Sequence, residues 1–422
     1  MKTSLYSRRN VLKGLAASTL AAPLVIPSRA LGADGAPPAN ERVVVGHIGV
    51  GGRGRQELRL FMQCQGAANV AVADPFKSHR EAAARMCRGK AYADFRDILA
   101  RDDIDAVAVT TPDHWHVPIA MAAARAGKAA FVAKPLGLSI EQDLACRDLF
   151  NQLGHVFQYG TQQRSMAHCY LGCELVRAGR IGRVHTIEVL APDGGTGGST
   201  QEAPVPEGLD YDMWLGPAPR RPYTVDRCKP PGSYWIYDYS IGYLAGWGAH
   251  PLDILVWASD ADLSGPVIVE GTGTIPKQGL YDTVFHWDMK LRLGEVKMTF
   301  KPGRDLTRFI GDEGWIAISR GGLDAEPKSL LKETIAPEQA RLVQSAHHAG
   351  NFVEAVREGK PVASPVDQAA RSDILSHLCN IAVRTGRKIT WDPKTETILD
   401  DAEAARMMRR PMRKPWTLGE EG

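Results

Sequence analysis

From residue 42 the chain alternates short apolar, β-branched runs with segments of helical spacing. RVVVGHIGV (42–50) is a continuous apolar run of the kind buried on both faces of a parallel sheet. NVAVADP (69–75), IDAVAVTTP (104–112), KAAFVAKP (128–135) and HVFQYGT (155–161) predict further strands. Between them, the apolar spacing through Leu58, Leu60 and Phe61, and over 78–87, 115–126 and 139–153, predicts helices. Strict alternation with short connections predicts an α/β domain over 41–165, a doubly wound parallel sheet of the Rossmann type.

The pattern changes after residue 165. A helix over 167–178 and a strand over 182–190 precede an irregular stretch, 191–246, rich in Gly, Pro, Tyr and Trp. Its length suits a functional loop, and its aromatic clusters argue for packing and for sugar contacts rather than disorder. A helix over 248–258 leads into strands at 266–274, 282–293, 295–300, 307–311 and 314–318, with a hairpin signal in RLGEV (292–296). NFVEAVREGK (351–360) and 371–387 read as helices. The second domain, 166–418, is therefore expected to be α+β with a mostly antiparallel sheet.

The first turn of the parallel sheet carries a candidate function. Gly49, Gly51 and Gly54 in GVGGRG (49–54) match G-x-G-x-x-G, directly after a strand and opening a helix. Gly49 suits the tight turn, Gly51 lets backbone approach a pyrophosphate, and Gly54 allows close packing of helix on strand. Gly52 and Arg53 complete the loop. Free N–H groups and the dipole at the helix start attract phosphate. The second strand ends in Asp74, twenty residues after Gly54, where a carboxylate binds ribose hydroxyls and repels a 2′-phosphate. NAD is thus favoured over NADP as cofactor, with Lys77 nearby weakening the preference.

The N-terminus reads as an export signal. SRRNVLK (7–13), an uncharged segment at 14–27 and the small residues of SRALGA (28–33) form the twin-arginine (Tat) pattern, with cleavage in 30–34 or retention as an anchor. Residues 1–33 hold five basic side chains and no acid, so the net charge of +3 less these five becomes about −2. The basic balance therefore says nothing of nucleic acid. The seven cysteines form no CxxC pair and no ligand set, and read as buried free thiols rather than a metal site.

Three further stretches carry candidate chemistry. TTPDHWHVP (110–118) begins at a strand end, where such sheets face the cofactor, which makes Thr111, Pro112 and His116 candidate cofactor contacts. Lys134 in VAKPLG (132–137) ends the next strand on the same side; it is either a solvated lysine before a turn or a desolvated acid–base group. His250 in GYLAGWGAHPLDILVW (242–257) is a packed core histidine, a ligand or a proton-transfer group. Pro251 suits a first helical turn, and a helix N-terminus would hold His250 neutral.

Taken together, GVGGRG, Asp74, TPDHWH (111–116), AGKAAFVAKPLG (126–137), GRIGRV (179–184), WIYDYSIGYLAGWGAHPLD (235–253) and NFVEAVREGKPVASP (351–365) resemble the glucose–fructose oxidoreductase, inositol dehydrogenase and rhizopine-catabolism (Gfo/Idh/MocA) family, in its exported form. The resemblance implies a Rossmann domain, a C-terminal domain with an open antiparallel sheet, a homodimer or homotetramer built on that sheet, and sugar or polyol substrates. It implies catalytic roles for Lys134 and His250. The chain departs from the family at two positions. The family's Glu-Lys-Pro is here Ala133-Lys134-Pro135, and the acid four residues before the histidine is here Gly246. Trp235, Tyr239 and Asp253 are candidate substrate contacts.

The expected activity is hydride transfer at a secondary hydroxyl of a sugar, polyol or glycoside. A periplasm offers little exchangeable NAD, so the cofactor is expected to travel bound and to be restored in place. A second substrate, or a redox-neutral cleavage of one glycoside by oxidation, elimination, hydration and reduction, would restore it. A non-catalytic sugar-binding protein is the third reading.

Overall fold

The computed structural model describes residue 38, residues 41–229 and residues 232–419; the export signal read over 1–33 lies outside the described residues. The N-terminal half alternates as its apolar pattern predicts: β1 (Val43–Ile48), α1 (Gly52–Met62), β2 (Ala67–Ala73), α2 (Lys77–Cys87), β3 (Lys90–Tyr92), α3 (Arg96–Leu99), β4 (Ala106–Val109), α4 (His116–Arg125), β5 (Ala129–Val132), α5 (Ile140–Leu153) and β6 (Phe157–Tyr159). α5 starts on a side-chain cap: Ser139 Oγ accepts from Gln142 N. β3 and α3 were not legible, because three or four residues cannot display a period.

The six strands are all parallel, in the order β3-β2-β1-β4-β5-β6. The order reverses between β1 and β4, and ligands of such sheets bind beyond the strand ends at that point. The register makes this edge even. Ile48 pairs with Ala73 and with Val109, and Val109 with Val132. The residues that follow, Gly49, Asp74, Thr110 and Ala133, therefore leave the sheet side by side, with Lys134 one step beyond.

The rest of the chain runs α6 (Ala167–Arg177), β7 (Val184–Ala191), α7 (Tyr211–Leu215), α8 (Tyr243–Gly246), α9 (Ala249–Ala258), β8 (Val267–Thr274), β9 (His286–Leu293), β10 (Val296–Pro302), β11 (Leu306–Gly311), β12 (Gly314–Ser319), β13 (Gly322–Glu326), α10 (His348–Glu358), α11 (Val366–Thr385), β14 (Ile389–Asp392), β15 (Thr397–Leu399) and α12 (Ala402–Arg406). Nine strands join in the order β13-β12-β11-β7-β10-β9-β8-β14-β15, antiparallel throughout except for β7 beside β10. β9 shows the cause of the one-sided packing: Trp287, Met289, Leu291 and Leu293 are buried, while His286, Asp288, Lys290 and Arg292 alternate on the open face. The helices α6, α9 and α11 contribute Cys173, Leu252, Leu255, Leu375 and Leu378 to the core beneath.

Two late elements stitch the halves together. The segment read as NFVEAVREGK folds as α10 but packs on the parallel sheet, where Phe352 meets Phe61 and Phe131 with ring centroids 6.0 and 5.9 Å apart. α11 buries Val366, Ala369 and Ala370 against the Rossmann side and its later residues in the second core. The irregular stretch after β7 is ordered by its aromatics: Trp214, Tyr223, Ile236 and Tyr239 form a small core with Leu209 and Leu215. Hydrogen bonds hold it over the parallel sheet, one of backbone from Lys77 N to Gly208 O at 2.8 Å and one from the indole Nε1 of Trp115 to Met213 O at 3.1 Å.

Because Phe352 is fully buried between two rings of the other domain, Phe352→Ala is expected to cost about 3–5 kcal/mol in denaturant unfolding. Leu399→Ala, at a site 36% exposed, should change stability by no more than about 0.5 kcal/mol in the same assay.

Candidate active site

The glycine loop after β1 is built as its spacing demands. Gly49 has φ of +79°, and a Cβ there would lie 2.6 Å from Thr111 N. A Cβ on Gly54 would lie 1.9 Å from Gly49 O, so the helix can press on the loop only with glycine there. Above the loop the space is open: a Cβ on Gly52 meets nothing within 4 Å, and on Gly51 only the His79 ring at 3.6 Å. The loop thus leaves free backbone N–H groups and room for a diphosphate at the start of α1.

A cleft runs from this loop. Gly49, Gly51, Gly52, Arg53, Gly54, Asp74, Thr111 and Pro112 line it, as the sequence places them, and Met213, Trp214, Ser233 and Tyr234 from the irregular stretch form its other wall. Asp74 is buried and already orders the loop: one carboxylate oxygen accepts from Val50 N at 2.9 Å and the other from Phe76 N at 2.9 Å. An ionised carboxylate has further lone pairs for ribose hydroxyls. These residues fit a dinucleotide.

The cleft passes into a smaller chamber where the two halves meet. Arg53, Thr111 and Tyr234 line both, and Asp113, His116, Ala133, Lys134, Gln162, Gly246, Trp247, His250 and Arg320 line the chamber. Lys134 reaches across the halves, and its Nζ donates to Gly246 O at 2.5 Å. Burial lowers its pKa to about 8; Asp113 opposes the shift, and Arg53 and Arg320 add to it. The carboxylates acting on Lys134 thus come from the loop after β4, as Asp113, and more weakly from α11, as Asp373, not from position 133 or 246. Asp113 is itself pushed up by burial and accepts from Ser240 Oγ at 2.6 Å.

His250 is the second residue of α9 and 4% exposed. Its Nδ1 is buried and has no hydrogen-bond partner among the described residues. Burial holds its pKa well below the ordinary value, reinforced by Lys134, Arg320 and Arg53, so the ring is neutral. A satisfied core histidine would have its buried nitrogens bonded; this one presents a free nitrogen. His116 is different. Its Nδ1 and Nε2 lie 2.6 and 2.9 Å from Pro135 O and Thr111 O; burial lowers its pKa, so the neutral ring donates to one of these carbonyls while it lines the chamber. Among the described residues no cluster of three His, Cys, Asp or Glu side chains is placed to hold a metal ion.

The three substrate candidates need correction. Asp253 faces away: Arg164 takes both of its oxygens, Nε at 2.6 Å and Nη2 at 2.5 Å, with the side chains 0% and 1% exposed. Tyr239 is buried among Trp214 and His114, and its hydroxyl accepts from Arg227 at 3.0 Å. Trp235 packs on Tyr243 with ring centroids 4.2 Å apart. Their aromatic neighbours Tyr234 and Trp247 line the chamber instead, as does Arg320 from the turn between β12 and β13. Nothing in the local pattern marks Arg320; only the antiparallel sheet brings that turn to the parallel sheet's edge.

A Rossmann sheet with a glycine loop at its switch point, beside a chamber with a desolvated lysine and a neutral histidine, defines the class of dinucleotide-binding α/β proteins with a second domain. Residues 43–161 match the Gfo/Idh/MocA oxidoreductase family's NAD-binding Rossmann fold and residues 195–418 its C-terminal alpha/beta domain; the chain belongs to that family. Over 114 residues it is 38% identical to a glycosyl hydrolase family 109 protein of Saccharopolyspora erythraea, 25% of this chain and 25% of that protein. The match therefore spans about a quarter of that relative's length. A levoglucosan dehydrogenase in complex with NADH and levoglucosan has the same fold, with TM-score 0.61 at 17% identity over 83% of this chain and 99% of that one. So has scyllo-inositol dehydrogenase from Lactobacillus casei, with TM-score 0.57 at 17% identity over 83% and 98%.

Asp253→Ala leaves Arg164 buried without its counter-charge. It should cost about 3–5 kcal/mol in unfolding, while the folded fraction keeps wild-type affinity for NAD by calorimetry.

Proposed function

We propose that this protein oxidises a secondary hydroxyl of a sugar, polyol or glycoside, with NAD held tightly and restored in place. One observation carries the reading: Lys134 and His250, whose buried Nδ1 has no partner among the described residues, line one chamber, and that chamber shares Arg53, Thr111 and Tyr234 with the cleft of the glycine loop. When bound along Gly49, Gly51, Gly52 and Asp74, NAD supplies the hydride acceptor. Every other requirement falls on the chain. A neutral Lys134 keeps one N–H on Gly246 O and offers its lone pair to the substrate hydroxyl proton. His250, neutral and free at Nδ1, binds a second hydroxyl or takes a second proton. Tyr234 and Trp247 supply ring faces for sugar carbons and keep water out.

The reading includes export through the Tat machinery to the periplasm, supported by SRRNVLK (7–13) and the apolar segment behind it. It includes a homodimer or homotetramer on the nine-stranded sheet, whose alternating pattern leaves one face open. A second reading is redox-neutral glycoside cleavage, favoured by the likeness to a glycosyl hydrolase family 109 protein. Oxidation to a ketone acidifies the neighbouring C–H, and His250 or Lys134 would take that proton as the aglycone leaves.

Purified protein should carry NAD by mass analysis, and nicotinamide absorbance should rise on mixing with the right sugar. Aglycone release without net absorbance change would select the cleavage reading. No bound NAD and no response to any sugar or glycoside would sink both. Lys134→Met should lower kcat by about 10²–10⁴-fold with NAD still bound. Deprotonation activates the base, so wild-type kcat/KM for oxidation should rise as pH passes through about 8, a rise absent in Lys134→Met. His250→Ala should lower kcat/KM by at least about tenfold; an unchanged value would return His250 to a packing role.

A further inference from the structure

Three cations line the chamber, and two are already engaged: Arg53 donates to Glu57, and Lys134 to Gly246 O. Arg320 is not. Its Nε and Nη2 are buried and have no hydrogen-bond partner among the described residues. These two nitrogens form one edge of the guanidinium, the fork that meets a carboxylate with two parallel hydrogen bonds. Leaving both donors buried and unmade costs free energy that a ligand would recover.

The fork is also held in place. The guanidinium lies over the Trp247 ring at 4.5 Å, and Trp247 meets His250 edge-on at 5.5 Å. Arg320 N donates to Asp305 Oδ2 at 2.7 Å, which Gln163 Nε2 also contacts at 2.8 Å, so Asp305 fixes the turn through its backbone. The acids that face the chamber are already engaged: Glu57 by Arg53, and Asp113 by Ser240 and by the charge of Lys134. Ala133 and Gly246 carry no charge, and a Cβ on Gly246 would meet only Tyr243 at 3.6 Å. The space beside His250 is therefore lined by an arginine whose buried donor edge is unpaired, and by no unengaged carboxylate among the described residues.

We propose that Arg320 anchors a carboxylate carried by the substrate, so that the chamber takes a sugar acid, such as a uronate, in preference to a neutral sugar. The proposal rests on the reading of this chamber as the site of hydroxyl oxidation. It makes Arg320 the residue that sets substrate class, with Lys134 and His250 acting on a hydroxyl of the same molecule.

The test is calorimetric titration of the NAD-loaded protein with D-glucuronate and D-galacturonate, with their neutral counterparts D-glucose and D-galactose, and with glucose 6-phosphate. At least one uronate should bind about tenfold or more tighter than its neutral partner. Arg320→Gln should erase that ratio, and Arg320→Lys, which keeps charge without the fork, should restore it only in part. Equal binding of acid and neutral sugar, loss of both alike in Arg320→Gln, preference for the phosphate, or no uronate binding at millimolar concentration would each overturn the proposal. The wild-type preference is decisive even if a variant fails to fold. Nicotinamide absorbance is read in parallel. Arg320-dependent uronate binding without any absorbance change, extended to every sugar and glycoside tried, supports the anchor and defeats the oxidation reading. An absorbance response to neutral sugars alone does the reverse.

Discussion

The ammonium of Lys134 is the group on which the site depends. It leaves the edge of the parallel sheet just beyond β5 and bonds the carbonyl of Gly246 at the end of α8. That single bond crosses between the sheet that carries the glycine loop and the helices that carry His250. Burial of the crevice lowers the lysine to about 8, while Asp113 favours its charged form there. The same dryness keeps His250 neutral. A wetter chamber would have neither a lysine near neutrality nor an unprotonated imidazole beside it.

The dryness has a structural source. The parallel sheet alone would leave its strand ends open to water. The irregular stretch after β7 covers them, because its Trp and Tyr side chains form a small core of their own and its backbone carbonyls accept from Lys77 N and the Trp115 indole. α10 and α11 return from late in the chain to clamp the two halves, and the buried Arg164–Asp253 pair ties the loop after β6 to α9. Buried ion pairs of this kind serve geometry more than stability. Here the pair holds the helix whose first turn carries His250.

The chamber's electrostatics follow from which charges are satisfied. Arg53, Lys134 and Arg320 gather at one point, and only Arg320 keeps a buried donor edge without a partner. The two uncharged positions, Ala133 and Gly246, leave room on that side. Proton transfer and substrate choice would therefore fall to different residues, with lysine and histidine handling the hydroxyl and arginine handling the rest of the molecule.

Local pattern by itself determined the parallel sheet, its glycine loop, Asp74 and the strand-end loops bearing Thr111, His116 and Lys134. Strand period, glycine spacing and strand-end position are properties of neighbouring residues, so they can be read along the chain. The antiparallel character of the second sheet was legible in the same way. The strands β3, β13, β14 and β15, at or next to sheet edges, were not, since they are too short to show alternation. Asp253, Tyr239 and Trp235 carried the right chemistry but the wrong orientation. A residue's type does not say whether Arg164, Arg227 or another ring will occupy it. Tyr234, Trp247, Asp113 and above all Arg320 entered the site only through tertiary structure. Arg320 lies 186 positions from Lys134 in the chain, and only the pairing of β11, β12 and β13 on the second sheet carries its turn to the edge of the first.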